Sequence, residues 1–360
     1  MIMKILCFID GLTLGGAERQ MIGLASMLNR KCYDIDLAYY YEDNFYESLV
    51  SSEGLNAKYI KVSRNRFSKL YQTYKFVKRG KYDAIIAYKD GATTIACLLK
   101  LLGLNFKLIV SERNTNQGIS KRDKIKFNLY KRFADFVVPN SYSQRSFIIK
   151  NFRNLEHKTI TITNFIDTEH FKPSYNISDD SVVKILTVAR IARQKNVINY
   201  LEAAQNIITQ NRNVTFEWYG DVQPGEEEYA AICMEKLHAL GIEDNFKFFP
   251  AEKNILAIYQ NCDIFCLPSS YEGYPNVICE AMSCGKPILC SDVCDNPTIV
   301  ENGLTGFMFN PNEVCDIFEK INRMLSLSKE DFAKMGANCR EISEKICSKD
   351  TFVQRYIDLL

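Results

Sequence analysis

Residues 269–292 read SSYEGYPNVICEAMSCGKPILCSD, with two carboxylates, Glu272 and Glu280, eight positions apart. An acid at a helix N-terminus can be a simple favourable cap, because that end carries partial positive charge. Two acids framing a turn can instead hold the hydroxyls of a polar ligand, since one carboxylate accepts from both hydroxyls of a vicinal diol, as on ribose or a hexose. Pro275 suits a first helical turn, where its missing N–H costs nothing. That places Glu272 in the loop before a helix and Glu280 inside it, with Gly273, Tyr274, Pro275, Asn276 and Val277 between them. The backbone at such a helix start is suited to a phosphate.

Other stretches offer matching chemistry. In VARIARQKN, Arg190 leaves a strand and Lys195 follows at the next helix start. Two cations beside a helix N-terminus make a diphosphate clamp, Arg by its planar fork and Lys as a point charge; solvated loop charges are the alternative, and Arg193 reads as solvated. In GLTLGGAER, Gly15 and Gly16 open a helix whose N–H groups could face an anion, or form only a tight turn, with Glu18 a first-turn acid. Gly220 and Asp221 of WYGD read as structural. Asp34-Ile35-Asp36 has the D-x-D form of a divalent-cation site, but it lies in a strand pattern whose period of two explains it. With three His and no H-E-x-x-H, no metal and no bound cofactor are expected.

The elements that must carry these residues alternate along the chain. MKILCFI, YDIDLAYYY, AKYIKV, YDAIIAY, FKLIVS and ADFVVPNS read as strands, with helices between them, including SKLYQTYKFVKRG ending at Gly80 and a basic helix near 121–133. A second series starts at VVKILTVAR and runs through NVTFEWYG, NFKFFP, CDIFCLPSS and PILCS to a turn at ENGLTGFMF. Alternation of this kind argues for parallel sheets covered on both faces. The 360 residues suit two domains. The expected division is an N-terminal Rossmann-like domain over 1–165, a polar linker over 166–181, a C-terminal Rossmann-like domain over 182–345 and a terminal helix over 346–360. Two such units would face a central cleft, with ligands at the carboxyl ends of the strands.

Composition is that of an ordinary globular chain, 47% hydrophobic and 24% charged. No apolar run reaches the roughly 20 residues of a membrane span, and the first apolar run is too short for a signal peptide. Thirteen scattered Cys without a C-x-x-C pair read as buried thiols of a reducing compartment. A cytoplasmic location is therefore expected. Charge is uneven: residues 58–160 hold 23 Lys and Arg against six Asp and Glu in a chain of net charge +2. A basic half calls for an anionic partner, a membrane surface, a phosphorylated substrate or nucleic acid; no nucleic-acid reading motif accompanies it. In RFSKLYQTYKFVKRGK, Phe67, Leu70, Tyr71 and Tyr74 share one side, with Lys69, Lys75, Lys78 and Arg79 largely elsewhere. The simpler reading is a core-facing stripe with solvated lysines; contact with the inner face of an anionic membrane is the alternative.

Taken together and in this order, GGAER, VARIARQKN, NFIDTEHFKP, PSSYEGYPNVICEAMSCGKPILCSD and IVENGLTGFMF resemble glycosyltransferase family 4. The resemblance spans nearly the whole chain and is strongest over 182–310. It implies the GT-B fold and a retaining transfer of a sugar from a nucleotide-sugar, UDP-linked by first expectation, to a lipid-linked or saccharide acceptor in bacterial surface-polysaccharide synthesis. It implies that Arg190 and Lys195 hold the donor diphosphate, that Glu272 contacts the donor sugar and that Glu280 binds the ribose. Backbone from Gly273 to Val277 would face sugar and phosphate, and Gly15 and Gly16 the reacting centre. Many members carry a His near the acceptor where this chain reads IVSERNTNQG, so Glu112 and Arg113 stand there. Arg113 could meet an acceptor phosphate and Glu112 an acceptor hydroxyl, or the two could form an ion pair within the loop. A sugar-nucleotide epimerase of the same fold and a non-catalytic nucleotide-sugar-binding protein are the alternatives.

Overall fold

Every short apolar run of the first half forms a strand, and an amphipathic helix follows nearly every one. The computed structural model describes the chain apart from residues 1, 14, 43–44, 64, 175–181, 211–212 and 253 and the side chain of Arg66. In chain order the first unit holds β1 (Lys4–Phe8), α1 (Gly16–Arg30), β2 (Asp34–Tyr39), α2 (Glu47–Ser52), β3 (Ala57–Tyr59), α3 (Arg66–Gly80), β4 (Ala84–Tyr88), α4 (Asp90–Leu101), β5 (Lys107–Glu112), α5 (Lys121–Phe133), β6 (Phe136–Pro139) and α6 (Tyr142–Asn151). The second holds β7 (Val183–Val188), α7 (Val197–Gln210), β8 (Val214–Tyr219), α8 (Glu227–Leu240), β9 (Phe246–Phe249), α9 (Ile255–Asn261), β10 (Ile264–Leu267), α10 (Asn276–Ser283), β11 (Ile288–Ser291), α11 (Asn296–Ile299), β12 (Gly306–Phe309), α12 (Val314–Leu325) and α13 (Lys329–Ile346); α14 (Lys349–Ile357) closes the chain.

The units are Met1–Phe165 with Lys349–Leu360, and Ile166–Ser348. Each contains one six-stranded sheet, in the order β3-β2-β1-β4-β5-β6 and β12-β11-β10-β7-β8-β9, and every strand pair is parallel. Successive side chains of a strand point to opposite faces. In β1, Ile5 and Cys7 enter one core while Leu6 and Phe8 enter another. In β7, Ile185 and Leu186 divide in the same way. Two buried faces explain why these strands read as unbroken apolar runs. The order reverses between β1 and β4 in one sheet and between β7 and β10 in the other, and ligands of open α/β sheets bind at such reversals, beyond the carboxyl ends.

The structure differs from the sequence reading in three places. Ile166 and Phe171, in the expected linker, are buried in the second unit's core; residues 175–181 lie outside the described residues. The turn read at ENGLTGFMF is present over 303–305, with Gly303 at φ +86°, but it leads into β12, an edge strand, and Gly306 starts that strand because a Cβ there would meet Ile288 O at 1.9 Å. Only half of the α3 stripe expected to face the core does so: Leu70 and Tyr74 are partly buried and pack against it. The buried residues of the helix are Thr73 and Val77, whereas Phe67 and Tyr71 are exposed.

The terminal helix α14 belongs to the first unit's core through Phe352, Val353 and Tyr356. The Phe165 and Phe352 rings lie 4.9 Å apart, and the Tyr88 hydroxyl donates to the Tyr356 hydroxyl at 2.8 Å. Among the described residues no helix is long and apolar enough to cross a membrane.

Candidate functional site

At the carboxyl end of β7 the chain leaves the sheet at Ala189 and turns through Arg190 to a short 3-10 segment, Arg193–Lys195. Two features fix this turn. Gly220 holds φ at +156°, and a Cβ on it would lie 2.1 Å from Ala189 O, so only glycine permits the approach. The Trp218 indole N–H donates to the same carbonyl at 2.7 Å. Asn196 then takes a left-handed conformation, φ 56°, which Asn tolerates better than most residues. Its side-chain amide donates to Pro311 O at 2.7 Å. Arg190 is thereby left exposed beside the sheet end.

The loop after β10 is tied to that turn. Ser270 N–H donates to Gln194 O at 2.8 Å, and Gln194 Nε2 donates to Tyr271 O at 2.8 Å. Adjacent to these bonds, Lys195 Nζ lies 2.5 Å from Glu272 Oε1, with both side chains largely buried. The structure thus joins two of the sequence-predicted residues across 77 positions. Charge-assisted bonds of this length are the stronger kind, and removing one partner of a desolvated pair leaves the other uncompensated.

Pro275 is the residue before α10, at φ −77°, and Asn276 and Val277 form its first turn. Tyr274 is buried, so its side chain contributes to the core while its backbone stays in the loop with Gly273. Glu280 lies inside α10 and is 2% exposed. The Tyr259 hydroxyl of α9 donates to Glu280 Oε2 at 2.9 Å. The two acids therefore sit in different surroundings: Glu272 against a cation at the loop, Glu280 against a phenol at the helix. Ser269, Ser291 and Asn296 each keep a buried side-chain oxygen without a hydrogen-bond partner, near the ends of β10 and β11.

In the first unit Gly15 precedes α1 in an extended conformation, and Gly16 begins the helix. Glu18 turns back beside them: a Cβ on Gly15 would meet its carboxylate at 2.5 Å. Glu18 is 1% exposed, accepts from Thr13 Oγ1 at 2.7 Å and is paired with Lys89. It is thus more than the first-turn acid the sequence suggested. Asp36 of the D-x-D stretch is also buried, with Lys58 Nζ at 2.6 Å and the Tyr82 hydroxyl at 2.7 Å.

Glu112 and Arg113 do not pair with each other. Glu112, the last residue of β5, is 2% exposed; Lys126 Nζ lies 2.7 Å from one oxygen and the Tyr130 hydroxyl donates to the other at 2.7 Å. Burial pushes its carboxyl above the usual range, and Lys126 opposes that rise. Arg113 donates to Asn164 Oδ1 at 2.7 Å and to the Tyr356 hydroxyl at 3.0 Å, and its guanidinium lies 3.8 Å over the Tyr88 ring. The structure thus ties Glu112 to α5 and Arg113, half-buried and with its Nε without a hydrogen-bond partner, to α14.

Sequence reasoning missed Tyr259, Gln194 and Lys126. A buried tyrosine or glutamine has no local pattern that announces its partner, and Lys126 lay unremarked in a basic helix. Asn196 carried a weak signal, since Asn is one of the few residues at ease with positive φ.

Residues 167–342 match the family model described as glycosyl transferases group 1. A Campylobacter jejuni relative, an alpha-1,4-N-acetyl-D-galactosaminyltransferase named for a diphosphate-undecaprenol-linked acceptor, is 27% identical over 78% of this chain and 77% of its own. An Escherichia coli relative, a UDP-Gal:alpha-D-GlcNAc-diphosphoundecaprenol alpha-1,3-galactosyltransferase, is 24% identical over 96% of this chain and 95% of its own. The crystal structure of Anabaena Alr3699/HepE in complex with UDP and glucose superimposes with a TM-score of 0.85 at 22% identity, covering 99% of this chain and 98% of that one. The fold is GT-B, an α/β architecture of two Rossmann-like sheets.

Proposed function

We propose, for a glycosyltransferase whose residues 167–342 match the glycosyl transferases group 1 model, that the donor is a UDP-linked sugar and the acceptor a lipid-diphosphate-linked saccharide. The observation that carries the donor reading is the Lys195–Glu272 pair at 2.5 Å, with exposed Arg190 on the turn that leads to it. A diphosphate entering at the start of α10 meets the Lys195 ammonium and the Arg190 fork. Glu272, released from sole pairing with Lys195, accepts hydroxyls of the sugar. Glu280, held by Tyr259, accepts the ribose diol. The names of the Campylobacter and Escherichia relatives support the acceptor class.

On this reading catalysis is positioning plus charge stabilisation. The glycosidic C–O bond to the diphosphate breaks as Arg190, Lys195 and the α10 N-terminus take up the developing negative charge. The acceptor hydroxyl attacks from the face the diphosphate leaves, its proton passes to the departing phosphate oxygen, and the anomeric configuration is retained. Glu272 orients the sugar and forms no covalent bond. Because protein cations neutralise the diphosphate, turnover continues in excess chelator.

Two measurements test the proposal. A thermal-shift panel of nucleotide-sugars should single out UDP-sugars, since a ligand at 100 times its dissociation constant stabilises by about 2.7 kcal/mol. Products formed with donor alone and with added lipid-diphosphate saccharide are then compared. Transfer requires the acceptor. A donor converted to its epimer without acceptor, or bound without turnover when acceptor is present, contradicts the reading.

A further inference from the structure

Helix α3 presents to solvent a face that a water-soluble surface would not favour. Phe67 is 83% exposed and Tyr71 55% exposed, and beside them Leu102, just past α4, is 51% exposed. With Leu70 and Tyr74 these residues line an apolar groove of about 440 Å³. Exposed single apolar residues are ordinary, but a contiguous aromatic groove marks an interaction site. Toward the C-terminal end of the helix stand Lys75, Lys78 and Arg79, all exposed; Lys78 continues the apolar face, Lys75 and Arg79 flank it, and Lys75 Nζ lies 4.3 Å over the Tyr71 ring. The helix contains no Asp or Glu.

A second pocket, of about 570 Å³, opens on the other flank of α3, and Lys75 and Arg79 line it together with Lys4, Lys58 and Lys61. The carboxylate in its lining, Asp36, is already bound by Lys58 and Tyr82. Lys4 and Lys58 are paired with Asp34 and Asp36, which leaves Lys61, Lys75 and Arg79 of the lining to meet an external anion. This cationic excess continues the wider imbalance of residues 58–160, 23 Lys and Arg against six Asp and Glu.

Apolar rings and cations in adjacent turns of one helix suit a bilayer interface, where amphipathic rings settle at headgroup level and lipid phosphates lie alongside. A protein partner would also need matching carboxylates and a shaped knob for the groove; an anionic bilayer supplies both elements at once. We propose that this face of α3, with Leu102, docks on an anionic lipid surface, Phe67 and Tyr71 entering the interface and Lys75, Lys78 and Arg79 meeting lipid phosphates. The inference does not depend on the proposed donor or acceptor, since neither is needed for docking.

The test is co-sedimentation of the full chain with vesicles of phosphatidylcholine alone and of phosphatidylcholine mixed with phosphatidylglycerol, at low and high salt. The expected result is binding to the mixed vesicles that weakens with salt and little binding to neutral ones. A K75Q/K78Q/R79Q variant should partition on the order of 10²-fold more weakly, and Phe67→Ala with Tyr71→Ala should lose ~10-fold or more. All five positions are exposed on α3, and unchanged circular dichroism and melting confirm folding. No binding to mixed vesicles, or equal binding by the variants, overturns the proposal. So does a concentration-dependent dimer that Phe67→Ala abolishes, which would give the groove to a second copy of the chain.

Discussion

Lys195 and Glu272, 77 positions apart in the chain, share an ion pair of 2.5 Å at the carboxyl ends of β7 and β10. The cation and the carboxylate that a nucleotide-sugar would separate are satisfied by each other before it arrives. Binding a diphosphate and a sugar would exchange that one bond for two. The pair keeps both charges compensated in the structure.

The first prediction concerns this exchange. Glu272→Gln should bind UDP several-fold more tightly, because Lys195 no longer divides its charge between carboxylate and phosphate. The same variant should transfer sugar ~10²-fold more slowly, the scale of losing one positioned polar contact to the reacting group. Titration calorimetry with UDP and initial rates measure the two halves. Weaker UDP binding would show that Glu272 supports the nucleotide and not the sugar.

Tyr259 is expected to act through Glu280. Its hydroxyl bond to that carboxylate is buried, and Tyr259→Phe should cost about 1 kcal/mol of stability. The donor KM should rise ~5-fold with kcat nearly unchanged, as expected when a group positions the ribose and does not touch the reacting atoms. A fall in kcat at constant KM would contradict the ribose assignment.

Gly220 should tolerate no side chain. Its φ of +156° and the 2.1 Å separation of a Cβ from Ala189 O predict that Gly220→Ala displaces the β7 end that carries Arg190. The loss should be ~2 kcal/mol or more. Gly241→Ala is the control: φ is also positive there, at +65°, but nothing lies within 4 Å, so about 1 kcal/mol is expected. Urea unfolding midpoints compare them, and equal losses would mean that backbone strain alone acts at Gly220.

The buried Glu112–Lys126 pair predicts a pH dependence. Burial raises the folded-state pKa of Glu112 above its unfolded value. The stability it contributes is thus full below the unfolded pKa and is lost as pH rises through the folded one. Lys126 restrains that rise, so Lys126→Met should lower stability by about 3–5 kcal/mol near neutral pH. The variant's loss relative to the native chain should shrink as pH falls toward about 4. Adding Glu112→Gln should flatten the profile. A Lys126→Met penalty that does not vary with pH would show that packing alone is lost.

These sites divide by what a sequence can carry. The strands could be read because parallel sheets bury both faces and leave apolar runs such as KILCF and IFCL. Arg190, Lys195 and Glu272 could be singled out because each stands just beyond a strand or before a helix, and Glu280 because it follows Glu272 by eight positions, inside the helix. Their pairing could not, because Lys195–Glu272 and Tyr259–Glu280 are contacts between separate elements. Helix α3 was half legible for a related reason: helical spacing shows which residues share a side but not where the core-facing arc is centred, and it is centred on Thr73 and Val77, with Leu70 and Tyr74 at its edge and Phe67 and Tyr71 outside it. The edge strand β12 was hidden by NGLTG, in which Gly303 does form a turn while Gly306 serves close strand packing. Glu112 and Arg113 could not be resolved from their neighbours in sequence, because their bonds run to Lys126 on α5 and Tyr356 on α14 and not to each other.

The most direct measurement follows the anomeric carbon. A UDP-sugar labelled at that carbon is incubated with the protein and a lipid-diphosphate-linked saccharide, and the product is examined by NMR beside the UDP released. The account predicts one UDP per sugar transferred, dependence on the acceptor and the donor's anomeric configuration in the product, with Arg190→Ala and Lys195→Ala each slowed ~10²-fold or more. An inverted product, UDP release without glycosylated acceptor, or near-normal turnover in both variants would contradict it.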